Sequence, residues 1–260
     1  MSRPIARLTA LLAAVMLVAC IELSGPSDGV FSIEPLQLPS PGIARGDSIR
    51  DTLGRALAPT VIARDKDGNI IDTAEARVFA LDRGVTVLPG NYLRGDSLRS
   101  DARIIGQVGS LQTLPVPVDV VVPPVRVVDS GAATRTVTFA AGAITDSITS
   151  PFGLRVLAAG DTAVASWPVR FTIVSSSVVP RREGVVPVSI VEANIVTRID
   201  TTDASGYGLR QLRVTPLFMD ETRLAQRALD SVFVRVSTVI GTGRDARVTE
   251  RTFKFYLQPQ

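Results

Sequence analysis

Histidine is absent from this sequence of 260 residues, and cysteine occurs once, as Cys20. Without histidine the chain lacks the side chain that ordinarily titrates near neutral pH and is the commonest transition-metal ligand, and a Ser-His-Asp triad is impossible. A single cysteine excludes an intramolecular disulfide, a cysteine-rich zinc site and a Cys-x-x-Cys redox pair. Lys66 and Lys254 are the only lysines, and neither completes a Ser-x-x-Lys arrangement. We therefore expect no catalytic activity, no metal site and no cofactor.

Aromatic residues and excess charge are also scarce, whereas aliphatic residues are plentiful. Hydrophobic residues make up 45% and charged residues 20% of the chain, which predicts a packed core. The formal net charge is +3, and removal of Arg3 and Arg7 with the N-terminal segment described next would reduce it to +1. Such a small charge excess gives no basic field, so we expect no nucleic-acid partner.

The N-terminus has the organisation of an export signal. Arg3 and Arg7 precede an apolar run over residues 8–18, which is too short to span a bilayer because a spanning helix needs about 20 residues. Residues 1–19 are therefore predicted to be a signal peptide, and residues 20–30 a tether that begins with Cys20. An ordinary secretory signal with an incidental cysteine is the alternative.

The end of this segment, Leu17-Val18-Ala19-Cys20, resembles the lipobox of bacterial lipoproteins. In that family a diacylglycerol is joined to the cysteine thiol, the peptide is cut before the cysteine, and the new N-terminus is often acylated. The resemblance implies lipidation of Cys20 and a membrane partner through that anchor, because several acyl chains hold a protein firmly on a bilayer. Ile21 stands where an aspartate would favour retention in the inner membrane, so the resemblance favours the outer membrane.

Short apolar segments separated by Gly, Asn, Asp and Pro follow from residue 31 onward, a pattern typical of strands and turns. Pro123 and Pro124 divide them into two series, predicted to be one domain over residues 31–123 and another over 124–260. The strands predicted in the two series are residues 60–64, 76–81, 85–88, 103–108 and 114–122, then 136–139, 153–157, 167–174, 195–199, 209–214, 231–237 and 252–257.

Two insertions interrupt the second series. The first lies near residues 175–189 and is predicted to be a loop or an extra hairpin. The second lies near residues 218–229, where DETRLAQRAL at 220–229 is the best helix candidate of the mature chain, although it is marginal by itself. The last two predicted strands flank Gly241 to Asp245 and are expected to form a hairpin.

Several stretches resemble bacterial immunoglobulin-like domains of the invasin and intimin type. They are ARDKDGN at 63–69 followed by Val78 and Phe79, DARIIGQVGS at 101–110, and TDASGYG at 202–208. The resemblance implies an all-β fold of tandem immunoglobulin-like β-sandwiches after the signal peptide. That family consists mostly of spacers, stalks and binding modules, but a shared fold does not fix function.

Candidate sites are weak. Asp65, Asp67 and Asn69 could begin a Ca²⁺ loop, but they lack the later ligands, so a turn is favoured. Asp200 and Asp203 invite the same comparison, and paired carboxylates could also serve glycoside hydrolysis. Trp167 could stack on a sugar, but its position in a regular strand favours core packing.

The tetrapeptide Arg-Gly-Asp-Ser occurs twice, at 45–48 and 94–97. Integrin recognition is one explanation, and repeated turn chemistry at the start of a strand is the favoured one. The favoured explanation places Gly46 and Gly95 at turns, with Ile49 and Leu98 beginning apolar rows.

Together these features predict a lipid-anchored protein of the bacterial cell envelope with a structural, adhesion or protein-interaction role. Another envelope or surface protein is the expected partner, and the loops of the second domain are the expected contact surface. A carbohydrate-binding sandwich or glycosidase, and an accessory lipoprotein of an envelope assembly that pairs through a sheet edge, are the alternatives.

Overall fold

The computed structural model describes residues 29–140, 145–227 and 229–260, and within them the chain forms two β-sandwiches in tandem. The predicted signal peptide and Cys20 lie outside the described residues, so lipidation stays a prediction. The sandwiches confirm the all-β, tandem immunoglobulin-like fold expected from the sequence.

The first sandwich is built on a sheet in the order β2-β9-β7-β4, with β8 paired to β7. β2 runs parallel to β9, and the other pairs of this sheet are antiparallel. Two small pairs, β1-β3 and β5-β6, lie outside this sheet. The strands are β1 (Ser32–Ile33), β2 (Gly42–Ala44), β3 (Ala63–Arg64), β4 (Ala76–Ala80), β5 (Val85–Val87), β6 (Leu93–Gly95), β7 (Arg99–Val108), β8 (Leu111–Gln112) and β9 (Val116–Val121).

The second sandwich is larger and contains the one α-helix among the described residues, α1 (Glu221–Ala225). Short 3₁₀ turns lie at Ala159–Asp161, Pro216–Phe218 and Gly243–Asp245, and a fourth lies in the first sandwich at Pro89–Asn91. The strands are β10 (Arg126–Ser130), β11 (Thr134–Phe139), β12 (Ser147–Ile148), β13 (Phe152–Leu157), β14 (Pro168–Ser176), β15 (Val188–Glu192), β16 (Ile195–Val196), β17 (Ile199–Thr201), β18 (Tyr207–Val214), β19 (Asp230–Ile240) and β20 (Arg247–Pro259).

The strand order of the second sandwich is that of an immunoglobulin-like domain. One sheet runs β10-β13-β18-β15-β16, and the other runs β11-β20-β19-β14-β17. In the order of the first sheet, β10, β13, β18 and β15 correspond to strands A, B, E and D, and in the second sheet β14, β19 and β20 correspond to C, F and G. β11 pairs in parallel with β20 and closes the second sheet.

Aromatic rings fill the space between the sheets of the second sandwich. Phe152 packs edge-on against Phe171 and Phe255, with ring centroids 5.8 and 4.8 Å away. Trp167 is buried, and its indole Nε1–H donates to the carbonyl of Val239 at 2.9 Å. The structure therefore confirms that Trp167 belongs to the core.

Most of the predicted strands are present, including the terminal hairpin, in which β19 and β20 pair over their lengths. The strand expected over 195–199 is wrong, because the chain leaves one sheet after β16 and enters the other at β17. The helix expected over 220–229 is shorter than predicted. Residues 175–189 form no hairpin of their own, and β15, which was not predicted, begins at Val188.

The two sandwiches meet at an apolar junction around the chain crossing, which is the segment at residues 122–125 where the chain passes from the first sandwich to the second. Ala44 of the first sandwich is buried in the core cluster of the second, and Val121 and Val122 pack against that cluster. A Cβ added to Gly42 would lie 2.3 Å from the carbonyl oxygen of Ser166. The predicted division of the chain at 123/124 falls at this crossing, and as a domain boundary it stays a prediction.

Candidate functional site

The two segments of the second sandwich that the sequence predicts to be insertions pack against each other. The backbone N–H of Arg181 donates to the carbonyl of Phe218 at 2.7 Å, and the N–H of Asp220 donates to the carbonyl of Val179 at 3.0 Å. Segments that are more than thirty residues apart in sequence thereby become one surface, which we call the insertion cap. It consists of residues 177–187 and 215–227.

A buried carboxylate holds the insertion cap to the sandwich. Asp230, at the start of β19, pairs with Arg223 of α1 at 2.5 Å and accepts a hydrogen bond from the Ser177 hydroxyl at 3.0 Å. Asp220 accepts from the backbone N–H of Arg223 and thereby caps the helix. The buried side chains of Met219 and Leu224 extend the core beneath the cap.

The outer side of the insertion cap is apolar with basic residues beside it. A pocket of about 290 Å³ is lined by Arg181, Arg182, Val185, Leu217 and Phe218. Arg181 pairs with Glu221 at 2.6 Å, whereas Arg182 has no ion-pair partner in the described ranges. Exposed aliphatic and aromatic side chains beside an unpaired cation are suited to contact with another molecule.

A second pocket, of about 330 Å³, lies beside the cap at the open edge between the two sheets. Val186 connects it with the cap, because Val185 lines the first pocket and Val186 the second. We call this second pocket the edge crevice. The side chains that matter for its chemistry are Ile173, Val188, Ile190, Val196, Arg198 and Arg213.

Exposed aliphatic residues continue from the edge crevice along the short strands that border it. Ile195, Val196 and Ile199 are 71%, 59% and 51% exposed. We call these three large aliphatic side chains, all exposed within five residues, the aliphatic patch; isolated surface aliphatics, in contrast, are ordinary. This patch was not predicted, because residues 195–199 were expected to form one strand of the second sandwich.

Arg210 fixes the position of β17 next to this patch. Its side chain is buried between the sheets and pairs with Asp200 at 2.8 Å and with Glu192 at 3.0 Å. Its Nη2 also donates to the carbonyl of Ile199 at 2.7 Å. Asp200, a candidate carboxylate in the sequence, is thus part of a structural ion-pair network.

The other candidate acids stabilise turns. The Asp65 carboxylate accepts hydrogen bonds from the side chain and backbone of Asn69 and from the backbone N–H of Asp67. The bond from the Asn69 side chain, with backbone donors, holds the pKa of Asp65 below its usual value. Asp203 accepts from the N–H groups of Ser205 and Tyr207 in the same manner. These contacts favour the turn interpretation for both sites.

The two Arg-Gly-Asp-Ser copies pair with each other. The N–H of Gly46 donates to the carbonyl of Gly95 at 2.7 Å, and the N–H of Gly95 donates to the carbonyl of Asp47 at 3.0 Å. The Asp47 side chain is buried and accepts from Arg50 at 2.8 Å. Asp96 accepts from Arg94 and from the hydroxyl of Thr86. Both carboxylates are therefore engaged within the protein.

Half of the prediction about these copies is correct. Gly46 has a left-handed φ of 83° at a turn, and Ile49 is fully buried. The prediction for Gly95 is wrong, because Gly95 lies in β6, where an added Cβ would lie 2.8 Å from the Val120 side chain. The prediction for Leu98 is wrong as well, because Leu98 lies just before β7 and is half exposed, so it does not begin an apolar row. The glycine of the tetrapeptide thus lies at a turn in one copy and at the end of a tightly packed strand in the other.

Aromatic side chains do not converge on a sugar-binding surface in the parts of the chain that the structure describes. Trp167 is in the core, Tyr207 packs on Arg155, and Tyr256 packs on Lys254. No group of three or more potential metal ligands is found among the described residues. Across the same residues, no helix is both long and apolar enough to cross a membrane.

Neither a protein-family model nor a curated protein sequence matches the chain. Among solved structures, the adhesin InvE of Yersinia pseudotuberculosis is 16% identical, with a TM-score of 0.32, and the match covers 89% of this chain and 61% of that one. Mouse protocadherin-24 EC1-3 is 9% identical over 86% of this chain and 70% of that one, with a TM-score of 0.30. AggA, a fimbrial subunit from Escherichia coli, is 11% identical over 53% and 95%, with a TM-score of 0.26. Similarities of this size leave the function to be argued from the side chains.

Proposed function

We propose that this protein is a lipid-anchored component of the bacterial cell envelope that binds another envelope or surface protein and catalyses no reaction. One observation carries the proposal: the insertion cap and the edge crevice adjoin at Val185 and Val186, and both combine exposed aliphatic side chains with arginines. Neighbouring exposed apolar pockets on a rigid scaffold are typical of a contact site.

The order of the parts along the chain supports presentation of this surface away from a membrane. The described chain starts at Gly29, where it enters the first sandwich, and the second sandwich follows through the junction at Gly42 and Ser166. Eight residues lie between Cys20 and Gly29, which allows a reach of at most about 32 Å. An anchor at Cys20 would hold the first sandwich near the lipid surface and present the second one beyond it. The lipobox resemblance favours the outer membrane.

Two measurements test the proposal. Metabolic labelling with an acyl probe should label the wild-type chain and should fail to label Cys20→Ser, because the thiol is the proposed attachment point. Chemical cross-linking in the native cell should then link a protein to the wild-type chain and less of the same protein to a Leu217→Asp/Val186→Asp variant. Equal labelling of both chains would contradict lipidation at Cys20. An identical set of cross-linked proteins in both chains would contradict the proposed contact surface.

Sheet-edge pairing is the second candidate, because among the described residues no strand pairs with the second half of β14 on one of its sides. It is a mode of the same protein-binding role and would suit an accessory lipoprotein of an envelope assembly. Carbohydrate binding has less support, since the burial of Trp167 removes the aromatic platform on which a sugar would stack.

A further inference from the structure

The edge of β14 is open over its second half. β17 pairs only with residues Pro168 to Arg170, and the N–H of Phe171 donates to the carbonyl of Arg198. From Thr172 to Ser176 the strand is paired with β19 on one side, and no described strand lies on the other. Backbone groups along such an edge can pair with another extended chain.

Two other sheet edges, those of β4 and β10, carry features that discourage such pairing. On β4, the side chain of Asn91 accepts from the N–H of Val78 and donates to the carbonyl of Ala76. The edge strand β10 carries charged side chains at Arg126 and Asp129. The open part of β14 reads Thr-Ile-Val-Ser-Ser, with neither a charge nor a proline. Charged side chains and covered backbone groups are the usual protection of an edge, and this segment has neither.

A β-bulge between Ile173 and Ser175 is the one protective feature of the open segment. It limits regular pairing to the stretch around Thr172 and Ile173, because a bulge twists the strand and disturbs its ladder of hydrogen bonds. Backbone pairing would therefore be short, and side chains would have to supply much of the affinity. Thr172 and Ile173 both line the edge crevice.

The edge crevice combines an aliphatic interior with positive charge. Its aliphatic walls come from Ile173, Val188, Ile190 and Val196, and no Asp or Glu is among its described lining residues. Arg198 is exposed at its rim and has no ion-pair partner within the described part of the chain. Arg213 lies 3.6 Å from Asp146 and donates to the Ser189 hydroxyl. The charge left without a partner is thus positive and belongs to Arg198.

We propose that an extended peptide segment of a partner protein binds along the open edge of β14, places alternate aliphatic side chains in the edge crevice, and pairs a carboxylate with Arg198. The alternation follows from the strand period of two, which sends every second side chain to the same side. This inference rests on the proposed protein-binding function and names the chemistry of the partner.

Selection from phage-displayed random seven-residue peptides on the full-length chain tests the chemistry directly. Enriched peptides should show aliphatic residues at alternate positions and an Asp or Glu, and their binding should weaken as salt is raised. Enrichment of basic peptides, or no enrichment over a Val174→Lys chain, would overturn the proposal. Co-purification of a fatty acid in the crevice, or dimerisation of the chain through it, would do so as well.

Substitutions with matched controls locate the site for the best enriched peptide. Arg198→Gln should weaken binding by roughly tenfold at low salt, whereas Arg247→Gln makes the same charge change on β20 and should leave affinity within about twofold. Val174→Lys should reduce binding by more than about tenfold because it places a charge on the open edge, and Val128→Lys on β10 is its control. Val174 and Val128 are 42% and 40% exposed, so both lysines can reach solvent without disturbing the core.

Equal losses in a substitution and its control would contradict binding at this edge. The peptide experiment is independent of the anchor. If peptide selection fails while acyl labelling and cell cross-linking succeed, the peptide site alone is rejected. If peptide selection succeeds while labelling and cross-linking fail, the envelope function alone is rejected.

Discussion

Glycine has two different roles in the two Arg-Gly-Asp-Ser copies. Gly46 adopts a left-handed φ of 83° with open space around it, whereas a Cβ on Gly95 would lie 2.8 Å from Val120 and 3.2 Å from Ile43. Substitution of Gly46 is therefore limited by the backbone conformation that the new residue must adopt. Substitution of Gly95 is limited by the volume available for a side chain.

Asparagine substitution separates these roles, because asparagine tolerates the left-handed region but adds a side chain. Gly46→Asn should lower the free energy of unfolding by about 1 kcal/mol or less. Gly95→Asn should lower it by about 1–3 kcal/mol or more through overpacking. Urea unfolding of both variants measures the difference, and equal losses would contradict the distinction.

Asp82 makes the stability of the first sandwich sensitive to acid. Its carboxylate accepts hydrogen bonds from the side chain and backbone N–H of Arg103, and Arg99 lies 3.2 Å away. The Arg103 side-chain bond is the main reason that the pKa of Asp82 is held well below its usual value. A carboxylate whose pKa is depressed in the folded state stabilises the fold above its unfolded pKa, and that contribution declines as the pH falls below about 4.

Asp82→Asn should therefore lower the Tm at pH 7, and the difference from wild type should narrow towards pH 3. Thermal unfolding followed by circular dichroism over this range provides the measurement. In an Arg103→Gln background the same substitution should have a smaller effect on Tm at pH 7. Wild-type and Asp82→Asn curves that stay parallel down to pH 3 would contradict the assignment.

At the scale of elements, long alternating strands could be predicted from the sequence and short ones could not. β18 alternates half-buried and buried residues from Tyr207 to Val214, and a period of two is the strongest signal a strand offers. β15 is buried at four successive positions, so it has no alternation to detect. β2 is three residues long and pairs in parallel with β9, more than seventy residues away. Such pairing depends on the tertiary fold, and local sequence does not encode it.

The same reasoning applies to the candidate site. The sequence predicted two insertions near residues 175–189 and 218–229 and favoured loops of the second sandwich as the contact surface. It could not show that the insertions meet, because the contacts of Arg181 with Phe218 and of Asp220 with Val179 are backbone hydrogen bonds that any residue types can make. It also could not identify Arg198, whose importance comes from having no acidic partner in the surrounding described structure.

Helix α1 has five residues, so packing and side-chain contacts must hold it in place. Arg223 and Arg181 of the insertion cap each pair with an acid, but Asp230, the partner of Arg223 at the start of β19, is buried, whereas Glu221, the partner of Arg181, is exposed. Arg223→Ala leaves Asp230 with Ser177 as its remaining side-chain partner and should cost about 1–3 kcal/mol of unfolding free energy. Arg181→Ala removes a surface pair and should cost about 0.5 kcal/mol or less.

Urea unfolding measures both free energies, and limited proteolysis reports locally on residues 215–227. Faster cleavage of this segment in Arg223→Ala than in Arg181→Ala is the expected result, because the helix loses its link to β19. Similar cleavage rates and similar stabilities would show that the buried pair does not anchor the insertion cap.

At the scale of the whole molecule, the junction joins the two sandwiches at several points. Arg50 of the first donates to the carbonyl of Gly243 in the second at 2.9 Å, and Asp119 accepts from the hydroxyl of Ser166. The N–H of Gly241 donates to the carbonyl of Pro124 at 2.8 Å. Together with the burial of Ala44, these contacts favour a fixed relative orientation, as an element that presents a distant binding surface requires.

Gly42 provides a direct test of this orientation, because its contact crosses the junction. A methyl group there would lie 2.3 Å from the carbonyl oxygen of Ser166. Because both sides of this contact are backbone, neither can rotate away, and the clash can be relieved only if the two sandwiches move apart. Gly106 is a matched control, since its added Cβ would lie equally close to a Val61 methyl within the first sandwich.

Both alanine variants, Gly42→Ala and Gly106→Ala, should lose about 1–3 kcal/mol of stability. Only Gly42→Ala should broaden the distribution of interatomic distances in solution X-ray scattering and split the calorimetric unfolding transition into two. If Gly106→Ala changes the scattering to the same extent, or if Gly42→Ala leaves it unchanged, then the close contact at Gly42 does not set the angle between the sandwiches.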